Sequence, residues 1–344
     1  MHLLIQSENA FKSKANYSDS SHRRHCVSIS GFSRENFDKF VKLATSYVLG
    51  SVILKKFECH INIDRAISII EALQIQCDLT VGEIKKAIDK GALWHSRGKA
   101  TQRCRRVKKT LNIDDKLHFY YDENILAQSP TPATLIADHG DYSVWFKPYG
   151  MLSQGSKWSD HCTITRWAQK HLSPERVVFP VHRLDRAATG LILVAHSKNA
   201  ARAFSAMFEQ HQLEKTYHII VHGDHQQHPQ PETVALAIDG KSARSHFSCM
   251  AYDKERDLSL LKVNIESGRK HQIRIHAASM DLPVVGDRLH GAHPQLTTAH
   301  EKALAPQADL QLCAVSLRFN CPIHHIERSF ILPEAMRPQL SQLR

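Results

Sequence analysis

The chain has 344 residues, enough for two or three domains, and 42% of them are hydrophobic, the proportion of a water-soluble globular protein. No apolar run approaches the roughly 18 residues that a membrane span needs. The start, MHLLIQSENAFKSK, has no basic lead, long apolar core or cleavage site, so a cytoplasmic location is expected. Formal net charge is +11, which points to a polyanionic partner, most often nucleic acid. The eight cysteines are scattered without a C-x-x-C, which argues against a zinc site or a disulfide framework.

Residues 1–56 read as a polar N-terminal extension with one helix predicted over Arg34 to Val48. A small module is expected over 57–123. Phe57 to Ile63 alternates as a strand, and Arg65 to Leu73 has helical apolar spacing at Ile67, Ile70 and Leu73. Thr80 is a predicted N-cap for a helix over Val81 to Lys90. Glu83 completes a capping box and Gly91 stops the helix. A short strand at Ala92 to Trp94 leads into a basic loop, and Lys116 to Tyr121 is a closing strand. The loop carries Arg97, Lys99, Arg103, Arg105, Arg106, Lys108 and Lys109 with no acid among them, a footprint suited to RNA phosphates. This order resembles the S4 RNA-binding domain. The turn after Gly91 departs from that family, with Leu93, His95 and Ser96 where Val and Asn-Gly are usual.

Residues 124–136, rich in Pro and Ser at AQSPTPAT, read as a linker, and 137–344 as the larger domain. Strands are predicted at Tyr142 to Phe146, Val177 to Val181, Leu191 to Ala195, Tyr217 to Val221 and Ser259 to Ile265. Helices are predicted through Ile164, Trp167, Ala168 and Leu172, after the cap Ser197 with Ala200, Phe204, Met207 and Phe208 inward, and over Gln272 to Ser279. Strands outnumber helices without strict alternation, so the fold class is α+β with a mixed, largely antiparallel sheet.

The most informative stretch is HRLDRAATG, His182 to Gly190, running into the apolar strand LILVA. Asp185 lies between Arg183 and Arg186, whose cations favour an ionised, nucleophilic carboxylate. Alone, such a string is also what a solvated surface turn looks like. Three more segments follow in order: FKPYG (Phe146 to Gly150), KTYHIIV (Lys215 to Val221) and SGRKHQIRIHAASMDLPVVGD (Ser267 to Asp287). With LQLCAVSLRFNCP (Leu310 to Pro322), they resemble the motifs of the RluA family of RNA pseudouridine synthases across about two-thirds of the chain.

The resemblance implies a pseudouridine synthase fold and isomerisation of a uridine in structured RNA, with large-subunit ribosomal RNA the expected target. No atom is gained or lost in that reaction, so no cofactor and no metal is expected. It assigns Asp185 as the catalytic aspartate, Arg274 as the arginine that pairs with it, and Tyr217 as an active-site ring that stacks on the base or moves a proton at C5. Base stacking of this kind is worth ~1–3 kcal/mol. Arg183, Arg186, Arg269 and Lys270 are expected to hold RNA phosphates, with Lys215 and His182 beside them. His182 is expected to hold its loop by a hydrogen bond, and His271 and His276 receive no settled role. Two departures bear on substrate choice: Ala188 stands where the family has a hydroxyl residue, and His290 where it has Tyr. The cluster His222, His225 and His228 reads as a solvated loop. A tRNA target, a non-catalytic RNA-binding or ribosome-assembly factor, and an aspartate-nucleophile hydrolase are the alternatives; the last lacks the second acid or metal it needs. A monomer is expected.

Overall fold

The computed structural model describes residues 54–291 and 308–343. The predicted helix over Arg34 to Val48 and Cys26 lie outside them.

Two sheets organise the described chain. The first belongs to the module: β1 (Lys56–Asn62), β2 (Ile67–Ser68), α1 (Ile69–Gln76), α2 (Val81–Asp89), β3 (Leu93–Arg97), β4 (Ala100–Arg103), β5 (Thr110–Leu111), β6 (Lys116–Asp122) and α3 (Glu123–Ala127). Its four-stranded sheet has the order β1-β6-β3-β4, and β2 pairs with β5. Ile69, Leu73, Ile84, Ile88, Leu93, Leu111 and Phe119 are buried together against it. The capping box at Thr80 and Glu83 is formed on both sides, and Gly91 has φ +89°. The helix expected from Arg65 starts later, at Ile69. Ser68 caps it by accepting from the Glu71 N–H, because Ile67 pairs with Leu111 in a ladder instead. The strand expected at Ala92 to Trp94 is longer, running to Arg97 and returning as β4, so part of the basic loop is a hairpin.

The second sheet is built from β7 (Thr134–Asp138), β8 (Tyr142–Lys147), β9 (Phe179–Pro180), β10 (Thr189–Ala195), β11 (Leu213–His222), β12 (Glu232–Val234), β13 (Ser245–Asp253), β14 (Leu258–Ile265), β15 (Leu312–Asn320) and β16 (Glu327–Ile331). The path is β12-β13-β14-β11-β15-β10-β8-β7, with β16 on β15 and β9 on β10. Among these described strands, only β10 and β15 pair in parallel. The helices are α4 (Ile164–His171), α5 (Lys198–Glu209) and α6 (Gln272–Ala278). Strand β10 explains its own unbroken apolar run: Ile192 and Val194 enter the core shared with α4 and α6, while Leu191 and Leu193 enter the one shared with α5. Gly190, at φ +107°, lies so close to β15 that a Cβ would meet the Ala314 carbonyl oxygen at 2.3 Å. The strand expected at Val177 to Val181 shrinks to Phe179–Pro180, since Pro180 has no N–H for a ladder. The expected linker narrows to a coil over 128–133, bounded by α3 and β7.

The module is held against the larger sheet through the loop 153–160. Arg103 Nη2 donates to the Ser156 carbonyl at 2.6 Å, and its Nε lies 3.4 Å from Asp160 Oδ2. Arg105 pairs with the other oxygen of Asp160 and donates to the Asp89 carbonyl. Trp94 Nε1 donates to the Lys157 carbonyl at 2.9 Å, and Lys157 Nζ reaches Glu58 at 2.5 Å. Gly91 also lets the Asp160 ion pairs come close, since a Cβ would lie 2.4 Å from Asp160 Oδ1 and displace it. Arg103 and Arg105, both expected to contact RNA, are committed to Asp160 in this fold. Arg97 is likewise bound bidentately by the buried Asp115, at 2.7 and 2.8 Å, and Lys109 lies 3.2 Å from His95 Nδ1. Lys99, Arg106 and Lys108 remain exposed.

Replacing Asp160 by Ala leaves two arginines without their counter-charge. It should lower stability by about 1.5–3 kcal/mol, as for hydrogen bonds to charged groups, read from the urea midpoint. Amide exchange should quicken over 153–160 while β10 stays protected.

Candidate active site

The turn that carries Asp185 is fixed from three sides. Ser153 Oγ donates to the Leu184 carbonyl at 2.7 Å and accepts from the Leu184 N–H at 3.0 Å. The Gly150 N–H donates to the Arg186 carbonyl at 2.9 Å, and Arg186 Nε returns a bond to the Gly150 carbonyl at 3.2 Å. Beneath them Lys147 is fully buried, its ammonium donating to the carbonyls of Pro148, Met151 and Arg186 at 3.1, 2.9 and 3.3 Å. Burial pulls the Lys147 amine down to about 7, against the opposing charge of Asp185. The FKPYG and HRLD segments are thus one welded unit, with Asp185 at its lip.

Arg274, on α6, is the cation that faces Asp185. Its Nη1 lies 3.4 Å from Asp185 Oδ2. The rest of the guanidinium is gripped by Asp287, with Nε to Oδ2 at 2.7 Å and Nη2 to Oδ1 at 2.5 Å. A bidentate fork of this kind fixes the plane of the guanidinium. Burial alone would raise the Asp287 carboxyl, but Arg274 and the N–H groups of Leu289 and His290 outweigh it, and the group lies below the usual carboxylate range. Sequence reasoning placed Asp287 at the end of a motif without a role. A carboxylate following glycine, at the end of an arginine-bearing segment, was the available signal.

A cleft of about 330 Å³ opens over this pair. Arg183, Asp185, Arg186 and Arg274 line it, joined by Tyr149, Ser153, His271 and Arg288, for which the sequence offered no site role. Arg183 and Arg186 are exposed, so the carboxylate is bracketed by Arg274 within and these two without. Tyr217 does not line the cleft. It is buried in the core on β11, where burial and then the charge of Asp185 push its phenol up, keeping the hydroxyl protonated. Lys215, also buried, has its amine lowered by burial. Arg269 is turned to the Ser242 carbonyl at 3.1 Å, and Lys270 is exposed; neither lines the cleft. His276 is buried between Ser245 Oγ and the Leu236 carbonyl, both at 2.9 Å.

His182 holds its loop by a hydrogen bond, as expected, and does not line the cleft. Its Nε2 accepts from the Leu193 N–H at 2.9 Å and its ring stacks on Phe208 at 4.2 Å. A ring used in this way pins the turn to β10. Burial, and then Lys215, bring its pKa down to about 3.

The family described as RNA pseudouridylate synthase matches residues 141–279, which hold Asp185, Tyr217 and Arg274. The "tRNA pseudouridine synthase C" of Vibrio cholerae is 32% identical over 202 residues, 51% of this chain and 80% of that protein. The chain belongs to the RNA pseudouridylate synthase family. A second member, the "tRNA pseudouridine synthase C" of Yersinia pestis, is 36% identical over 137 residues, 33% of this chain and 53% of that relative's length. The solved structure "Human RNA Pseudouridylate Synthase Domain Containing 1" aligns with 19% identity and a TM-score of 0.49 over 61% of this chain and 88% of that one.

The site's anchoring has a pH signature. Unfolded His182 binds a proton near pH 6.5, whereas the folded ring resists it until about pH 3. Between those values the unfolded state holds more protons, so this residue's contribution is present above about pH 6.5 and is lost as pH falls. In His182→Gln the loss of stability between pH 6.5 and 4 should be shallower than in the parent chain, by chemical denaturation at each pH.

Proposed function

We propose that this protein isomerises a uridine within structured RNA to pseudouridine, with Asp185 as the catalytic carboxylate. The observation that carries the proposal is the pairing of Asp185 with Arg274 at the base of a cleft rimmed by arginines. The target nucleotide must leave its stack to reach the carboxylate, at a cost of a few kcal/mol that is least in loops. Arg183, Arg186 and Arg288 supply positive charge for the flanking phosphates at the mouth of the cleft. Asp185 acts at C1′ as the bond to N1 breaks, and the base turns and rejoins through C5. Arg274, held by Asp287, keeps the carboxylate aimed while charge develops. Tyr217 supports the site from the core beneath it. Lys147 and Ser153 are positioning residues that hold the two turns on either side of the carboxylate.

The small module supports a further part of the proposal, that it is an S4-like RNA-binding element serving a site in large-subunit ribosomal RNA. Its helix pair, Gly91 stop and hairpin are the features in favour. A tRNA site is favoured instead by the names of the Vibrio and Yersinia relatives. Carbodiimide mapping of pseudouridine in RNA from cells with and without the gene distinguishes them, by the uridine at which the signal disappears.

Asp185→Asn should lower isomerisation by at least about 100-fold, as misplacement or loss of a reacting group does. Its affinity for the same RNA should hold; an equal loss of affinity would assign the residue to binding. For the module, Arg106→Glu should weaken RNA binding and flatten its salt dependence, by about 0.7 log unit of slope for each single-strand phosphate no longer neutralised. An unchanged slope removes the exposed part of the basic segment from the RNA interface.

A further inference from the structure

We infer that His271, oriented by His290, is a second proton-transfer group of this site and carries the C5 proton away from Asp185. The inference rests on the isomerase reading above and concerns the step that reading leaves without a proton acceptor. His271 sits at the N-cap of α6 with φ 56° and ψ 20°, a left-handed conformation that is costly for a residue with a Cβ. Its side chain makes no capping bond to the helix. It lines the cleft instead, with Nε2 3.8 Å from Asp185 Oδ2. On its other edge Nδ1 lies 3.0 Å from His290 Nε2, the two rings meeting at 69°. The backbone N–H of His290 donates to Asp287 Oδ1 at 3.0 Å, so the carboxylate that holds Arg274 also seats His290.

Asp185, His271 and His290 lie in one line, with a hydrogen bond between the two rings and a gap before the carboxylate. Two nitrogens at 3.0 Å share a single proton, so the tautomer of one ring sets that of the other. The 3.8 Å gap to Asp185 is of the kind that closes when substrate seats, since catalytic hydrogen bonds are often long in the free enzyme. His271 is surrounded by Asp185, Arg274, His290 and Lys270, with Arg183, Arg186 and Arg288 also at the cleft. Burial first, and after it Arg274, His290 and Lys270, lower its pKa against the pull of Asp185, which favours the neutral ring. Tyr217 is unsuited to the task because its phenol is pushed up.

Once C1′ is bonded to C5, that carbon still carries its hydrogen. Asp185 takes the hydrogen as a proton, the electron pair of the C–H bond restores the C5–C6 double bond, and the N1–C6 π pair passes to N1. The proton moves from Asp185 to His271 Nε2 while His271 Nδ1–H passes its own to His290 Nε2. N1 of the base takes up one proton from solvent and His290 releases one to it, so the isomerisation balances.

The test uses the full chain with unmodified transcripts of large-subunit ribosomal RNA and tRNA carrying 5-tritiated uridine. His271→Asn keeps a residue that tolerates the left-handed backbone, and His290→Phe keeps the ring volume. Both should release tritium at least about 100-fold more slowly, the low end of what a positioned general acid or base contributes. Reaction with transcripts carrying 5-fluorouridine, which has no C5 proton to lose, should keep its rate, as should RNA affinity. Tritium release at the parental rate in His271→Asn would falsify the relay. Equal slowing on both transcripts also overturns it, because that marks a purely structural role. If the parent chain releases no tritium from either RNA, the isomerase reading fails and the relay with it.

Discussion

Everything at the candidate site turns on how one guanidinium is divided between two carboxylates. Arg274 gives two of its nitrogens to Asp287 and one to Asp185. Asp287 is closed off from solvent and Arg274 nearly so, with side-chain exposures of 1% and 6%, whereas Asp185 is 21% exposed. The tighter, deeper pair satisfies most of the charge of Arg274. The longer contact to Asp185 then aims the cation without sealing the carboxylate away from a substrate. A buried arginine with only one partner would be costly; with Asp287 in place, the arginine can stand beside a reactive group without depending on it.

Around that pair the backbone is held by bonds from three side chains to main-chain groups. Lys147 collects three carbonyl oxygens, Ser153 closes a two-way exchange with Leu184, and His182 caps the Leu193 N–H. These ties join β8, the turn after it and the turn before β10. A carboxylate positioned by such a frame has little freedom to drift, which is the condition for orientation to lower a barrier.

The module shows how total charge misleads. Seven cations without an acid between Arg97 and Lys109 look like an open RNA surface. In the fold, Asp115 and Asp160, distant in sequence, claim Arg97, Arg103 and Arg105. Of the charges that suggested phosphate contact, Arg103 and Arg105 instead hold the module to the loop that begins at Ser153, a residue of the active-site cleft wall. Exposed cations remain at Lys99, Arg106 and Lys108.

Local chemistry made several features legible from sequence. The capping box at Thr80, the cap at Ser197 with its inward face, the Gly91 stop and the apolar β10 each depend on neighbours within a few residues. Strands β7, β12, β13 and β16 were not readable, because their alternation is weak and their partners supply the pattern. The motif order marked Asp185 and Arg274, yet nothing local says that Asp287 grips the arginine or that His290 meets His271 across 19 positions. The sequence by itself determined which groups with useful chemistry are present and in what order. Only the tertiary structure decided which cations serve the cleft and which are consumed by the fold, because ion pairing depends on distances that chain separation does not encode.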